Sequence, residues 1–137
     1  VDGLGVREGI EMNVGELNGA QLDCWVARAE GFRAEVVKAN GMEYCRIDVE
    51  TIGHQFYQPT QNPAITSPIQ FRQRYTLYPL DRLDGEAGVP ARWWVAEAQM
   101  NPSFYDLYED EQPLVAVCRL RVAEALAAGI IKPDDSA

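Results

Sequence analysis

Residues Glu16–Gly31 read ELNGAQLDCWVARAEG, and this one stretch holds a helix start, an apolar face and a helix stop. Asn18 stands where a side chain caps the first turn, and Gln21 stands three residues on, where a capping-box residue reaches back to the free backbone N–H. Gly31 supplies the left-handed residue that closes a helix. On a wheel advancing about 100° per residue, Leu22, Trp25, Val26 and Ala29 form one apolar stripe, and Ala20, Cys24 and Ala27 form a second of small side chains. The large residues suit burial on a sheet, and the small ones suit the close approach of another backbone. The helix is therefore expected to make two contacts, and the rest of the chain must supply both.

The far end of the sequence offers a partner. Gln112-Pro113 opens a second helix that runs to about Ala128 and stops at Gly129. Leu114, Val115, Cys118, Val122, Ala125 and Leu126 make a broad stripe, and Ala116, Leu120, Ala123 and Ala127 make another opposite it. A helix apolar nearly all round is buried or sits at an interface. One side is assigned to the first helix. Ala116, Leu120, Ala123 and Ala127 are also the candidate contact for a homodimer.

Between the helices, Phe32–Glu50 reads as a hairpin around Asn40-Gly41, the strongest short signal for a type I′ turn. That register pairs Lys38 with Glu43, Val36 with Cys45 and Ala34 with Ile47 on a mostly apolar face. The other face carries Val37 with Tyr44, Glu35 with Arg46 and Arg33 with Asp48, including two opposite-charge pairs. A one-residue slip destroys both agreements. Thr51–Ser67 reads as an irregular loop, and Ser67-Pro68 as the cap and first residue of a short helix, Pro68–Gln73, with a single strand over Gln70–Tyr78 as the rival reading because Phe71, Gln73, Tyr75 and Leu77 alternate with Arg72, Arg74 and Thr76. A strand at Tyr75–Leu80, a turn-rich Asp81–Pro90 with Asp84-Gly85 and Gly88, a strand at Arg92–Ala98 and an acidic loop at Asn101–Glu111 complete the interval. Trp93-Trp94 puts one indole on each face of its strand.

The expected fold is α+β: two layers in the order α-β-β-(short α)-β-β-α, with a mainly antiparallel four-stranded sheet carrying the two long helices on one face. Residues 12–131 form the single domain, 1–11 read as an extension outside it, and 132–137 as an acidic tail.

Composition narrows the function. A formal charge of −9 with only two lysines, Lys38 and Lys132, argues against direct binding to nucleic acid, which needs clustered cations. It leaves open a basic protein partner, or mimicry of a nucleic acid's charge. No apolar run is long enough for a membrane span, and no secretory signal is apparent, so a cytoplasmic location is expected. Cys24, Cys45 and Cys118 are odd in number and form no CxxC pair, so they are read as buried free thiols rather than as disulfides or zinc ligands.

Several stretches resemble a known family. Leu17-Asn18-Gly19-Ala20-Gln21-Leu22-Asp23, continuing through Val26-Ala27-Arg28-Ala29-Glu30-Gly31, resembles the opening L-T-G-x-x-L-D-x-x-V-A-x-x-E-G of the NinX-like phage proteins. Tyr57-x-Pro59-Thr60, with Ser67-Pro68-Ile69 after it, is similar to that family's Y-x-P-S-T and later G-P-I. Gln112-Pro113-Leu114-Val115-Ala116-Val117-Cys118-Arg119 resembles its T-P-L-x-A-A-x-R helix start, and also the A-P-L-A-I-C-R of related phage α/β sandwich domains. Gln61-Asn62-Pro63 stands where the family usually has D-W. The resemblance implies a small cytoplasmic protein of a phage or prophage in a bacterial host, and it transfers no activity.

The binding candidates are His54, Tyr57, Thr60, Asn62 and Arg72, in and beside the irregular segment. His54 is the only side chain whose ordinary pKa of about 6.5 suits general-base work. No nucleophile is placed by any motif, so no catalytic residue is assigned. Asp106, Glu109, Asp110 and Glu111 lack the alternating ligands of a calcium loop, and no metal or cofactor is assigned. The expected function is a non-enzymatic accessory protein that binds a host or phage protein. The alternatives are a small-ligand binder or minor enzyme using residues 54–72, and an acidic DNA mimic.

Overall fold

The hairpin forms in the expected register. In the computed structural model, which describes residues 12–82, 91–99 and 103–136, β1 (Ala34–Ala39) and β2 (Met42–Val49) pair antiparallel, with Lys38 opposite Glu43 and Ala34 opposite Ile47. Asn40 and Gly41 both take positive φ, 55° and 78°, as a type I′ turn requires. Of the two expected charge pairs, Glu35 and Arg46 form one. Asp48 instead pairs with His54, because a third strand lies beside β2 and brings that imidazole across from it.

That third strand, β3 (Gly53–Phe56), falls within the segment expected to be irregular. All four of its residues are exposed. An edge strand with neither face buried has no hydrophobic alternation to reveal it. The helix after it also differs from expectation: α2 runs over Pro63–Gln73, five residues earlier than Ser67-Pro68 implied. Asn62 is the cap, its side chain accepting the Ala64 N–H at 3.0 Å, and Pro63 takes the first turn. Pro68 lies inside the helix. There its missing N–H leaves the Ala64 carbonyl without the usual partner.

The chain then builds a second sheet from β4 (Thr76–Arg82), β5 (Ala91–Ala98) and β6 (Asp106–Asp110). The expected single four-stranded sheet is thus replaced by two separate three-stranded antiparallel sheets, ordered β1-β2-β3 and β4-β5-β6. Beyond Phe56 the chain turns inward at buried Tyr57 and enters α2, so β3 ends the first sheet. Pro79 lies within β4, an edge strand, where a residue without N–H costs no internal ladder bond. The acids of β6 hid its strand character, and Asp110 is held by Arg119 at 3.0 Å. The turn signals of residues 83–90, the start of the Asn101–Glu111 loop and the extension 1–11 lie outside the described residues.

The long helices, α1 (Gly19–Ala29) and α3 (Pro113–Ala127), pack on each other; α1 also covers β1 and β2, and α3 also covers β5 and β6. Every residue of α3 from Ala116 to Ala125 is buried, charged ones included. Leu120, Ala116 and Val117 meet Tyr75, Ala96 and Ala98, while Cys118, Val122 and Ala125 join the core beneath α1. Asn18 occupies the cap position of α1 without a side-chain capping bond. Its amide instead donates to the Glu16 carbonyl at 3.3 Å. The stop is as expected: Phe32 N–H reaches the Ala27 carbonyl at 2.9 Å and Gly31 N–H the Arg28 carbonyl at 3.0 Å, with Gly31 at φ 93°.

The small stripe of α1 serves the sheet as well as the neighbouring helix. The Cys24 thiol shares a hydrogen bond with Cys45 on β2, which lowers the pKa of Cys24 and raises that of Cys45. Two small thiols let the helix lie close to the strand. All three cysteines are free and buried. Among the described residues no helix is long and apolar enough to cross a membrane.

Candidate functional site

The five residues singled out in the sequence do not line one pocket. His54 is exposed on β3 beside Asp48. Tyr57 is buried and packs on Phe32 with ring centroids 5.5 Å apart, and burial pushes its phenol above the ordinary range. Thr60 is buried, Asn62 caps α2, and Arg72 forms a bidentate bond to Glu30 at 2.9 and 2.8 Å. Four of the five thus tie segments together.

The residue that organises this region is Asp23, which the sequence reading did not select. It is 3% exposed, and its Oδ1 accepts the Thr60 N–H at 2.9 Å. Burial raises its pKa to about 6, against the lowering effect of the Thr60 hydrogen bonds. Next to it, Thr66 donates its hydroxyl to the Pro59 carbonyl. The Leu22-Asp23 and Tyr57-x-Pro59-Thr60 stretches are therefore in contact, and Asp23 fastens the inward turn to α1. The signal was an acid inside an otherwise apolar helix face.

A second polar network joins the three helices. Arg121 donates to Glu30 at 2.7 Å and to the Ala29 carbonyl at 3.2 Å, and lies 3.7 Å from Glu124. Glu124 also accepts from Tyr75 Oη and from Gln73 at 2.9 Å. Burial opposes ionisation of Glu30, but hydrogen bonds from Arg72 and Arg121 outweigh it and hold the carboxyl below its ordinary pKa. Tyr75 is driven up by burial and by Glu124. Charged groups enclosed by the protein and already paired are structural here, so neither network offers a free reactive group.

Two solvent-facing sheet surfaces remain. On the outer face of the first sheet, Tyr44 and Phe56 stack with centroids 4.8 Å apart and planes at 11°. Beside them lie two shallow depressions, one of about 290 Å³ lined by Arg33, Ala34, Glu35, Arg46 and Asp48, and one of about 160 Å³ lined by Arg46, His54, Gln55 and Phe56. Their charges are mixed and largely paired. On the outer face of the second sheet, alternation presents Tyr78 and Leu80 from β4, Trp93 and Glu97 from β5, and Leu107 from β6. Tyr105 is 64% exposed, and Leu80 and Leu107 are each 38% exposed. The Glu97 carboxylate accepts from Tyr105 at 2.8 Å and from Tyr78 at 3.2 Å.

Comparison with protein families accounts for most of the chain. The family model described as NinX of bacteriophage P22 matches residues 13–125. The chain belongs to the NinX family. Both polar networks and both sheet faces lie within the span that matches NinX. No curated protein matches the sequence.

For this NinX-family chain the remaining expected contact, Ala116, Leu120, Ala123 and Ala127, lies mostly inside. Ala116 and Leu120 are fully buried against the chain's own second sheet, Ala123 is 9% exposed and Ala127 is exposed. The apolarity of α3 on all sides is thus accounted for within one chain. The exposed carboxylates described include Glu16, Glu35, Glu43, Asp48, Asp81 and Glu111, scattered over β1, β2, β4 and the segments before α1 and α3, and Glu35 is already paired with Arg46.

Proposed function

We propose that this phage protein is a non-enzymatic accessory factor that acts by binding another protein, of host or phage, through the outer face of the β4–β5–β6 sheet. One observation carries the reading: Leu80, Leu107 and Tyr105 stand exposed together with half-buried Tyr78 and Trp93 on one face. Aromatic and aliphatic side chains gathered at the surface mark recognition sites, and tyrosine and tryptophan are the commonest anchors of such contacts. The acidic balance of the chain supports a protein partner over a nucleic acid.

The test is affinity capture from phage-infected cells using the full chain and a Leu107→Glu variant whose fold is verified by circular dichroism. A protein identified with the parent and lost with the variant supports the reading. Equal recovery by both, or recovery by neither, sinks it. A second reading, binding of a small ligand on the first sheet, is favoured by the two depressions that share Arg46. It expects chemical-shift changes confined to Arg46, His54 and Phe56 in a fragment screen.

A further inference from the structure

On that same face the chemistry of the partner can be narrowed, an inference that rests on the protein-binding reading. At one end of the face, opposite Thr76 of β4 and Leu107 of β6, stands the Glu97 carboxylate, with Tyr105 donating to Oε2 at 2.8 Å, Tyr78 to Oε1 at 3.2 Å and Gln99 to Oε1 at 3.3 Å. Each phenol spends its one O–H on Glu97, so what it turns outward is oxygen lone pairs and ring face. Nearby carboxylates also keep both phenols neutral: Glu97 acts on Tyr105 first, while Tyr78 feels its own desolvation first and then Glu97 and Glu109. By register the face runs from Thr76, Tyr78 and Leu80 through Trp93, Val95 and Glu97 to Leu107 and Glu109, with no cation among these residues; Arg82, the last residue of β4, takes the same face by register at the end remote from Glu97. The surface therefore offers acceptors, negative charge and π faces.

We infer that the partner inserts an arginine into the Tyr78–Glu97–Tyr105 cluster, with an apolar neighbour covering Leu80 and Trp93. A guanidinium is all donor, binds a carboxylate in a planar fork and lies flat on an aromatic ring, so it matches each feature at once. A phosphate or an acidic segment would meet the carboxylate and is rejected. Glu97 and Trp93 are four residues apart on β5, about 13 Å along a strand, which sets the distance between the arginine and its apolar companion.

The experiment titrates the full chain by NMR with a synthetic peptide that carries one arginine and, four residues away, one leucine. The control peptide has citrulline, the neutral isostere, in place of the arginine. Shift changes at Tyr78, Glu97 and Tyr105 with the arginine peptide are expected. Affinity should fall about tenfold or more for the citrulline peptide and for Glu97→Gln. Glu43→Gln, at the tip of the other sheet, should change affinity less than about twofold, since an exposed distant charge is screened. Equal binding of both peptides, equal loss in Glu97→Gln and Glu43→Gln, or no shift changes up to about 1 mM peptide overturns the inference. Repeating the capture experiment with Glu97→Gln separates the two readings. A partner lost with Leu107→Glu but retained with Glu97→Gln leaves protein binding standing and removes the arginine.

Discussion

Asp23 carries a charge the fold would rather not hold. Its carboxyl is raised to about 6 by burial, while in the unfolded chain it titrates near 4. The folded state therefore binds the extra proton between those values, and stability falls as pH rises through that window. Two pKa units correspond to about 3 kcal/mol. An asparagine keeps the oxygen that accepts the Thr60 N–H without the charge. Urea denaturation from pH 4 to 8 should show the parent losing stability relative to Asp23→Asn up to about pH 7 and running parallel to it above. Profiles parallel throughout would contradict the burial argument. Asp23→Ala instead strands the Thr60 N–H and should be less stable than Asp23→Asn by about 1–3 kcal/mol at every pH.

The cysteines make a second prediction at this scale. Cys24, Cys45 and Cys118 are each about 1% exposed or less, and burial pushes Cys118 up. A thiol reagent should therefore label none of them rapidly in the native protein and all of them in denaturant. Fast labelling of any one in the folded state would place that thiol at the surface.

At the scale of elements, the ion network distinguishes its two arginines. The side chain of Arg121 is 7% exposed and that of Arg72 is 51% exposed, yet both bind Glu30. Removing the enclosed partner takes from Glu30 one of its two arginines and from Glu124 a buried positive charge, so Arg121→Ala should destabilise by about 3–5 kcal/mol. Arg72→Ala removes a solvent-screened pair and should cost no more than about 1 kcal/mol. Denaturant titrations that rank them the other way would mean that Arg72, not Arg121, holds α1 to its neighbours.

How legible each element was follows from how it is buried. The β1–β2 hairpin was readable to the residue because one face is covered and its turn needs residues that tolerate positive φ. The stop of α1 at Gly31 was readable for the same backbone reason, and α3 because it is apolar on nearly every side despite Arg119, Arg121 and Glu124. β3 was not, since an edge strand exposed on both faces carries no period. Asn62-Pro63 and Ser67-Pro68 are equally good helix starts in sequence. What separates them is that the turn at Tyr57–Thr60 is anchored to Asp23, which leaves Asn62 free to cap. His54 and Arg72 were picked for their chemistry, and each turned out to have a carboxylate partner, Asp48 on the adjoining strand for His54 and Glu30 at the end of α1 for Arg72. Glu97, Tyr78 and Tyr105 were passed over because no spacing rule links them.

On the scale of the whole molecule, α3 is the element both halves share. One side of it closes the core under α1 and the first sheet, and the other closes the core under the second sheet. The two sheets should therefore unfold together. Trp25 reports on α1, and Trp93 and Trp94 report on β5, so fluorescence transitions of Trp25→Phe and of Trp93→Phe/Trp94→Phe should coincide in denaturant. Leu120→Ala, at a fully buried site, should lower stability by about 3–5 kcal/mol and shift both transitions equally. Separate midpoints would show that the sheets are independent folding units.

The sequence by itself determined the local rules: where α1 and α3 lie, the register of the hairpin, the burial of the thiols, the α+β class and the family. Each depends on periodicity, turn geometry or burial tendency, which neighbouring residues impose. Tertiary structure decided that the strands divide into two sheets, that Asp23 fastens the inward turn, and that tyrosines from β4 and the approach to β6 converge on Glu97. Those outcomes depend on which distant groups meet, and a buried charge or an exposed strand edge is resolved by its partner across space rather than by its neighbours along the chain.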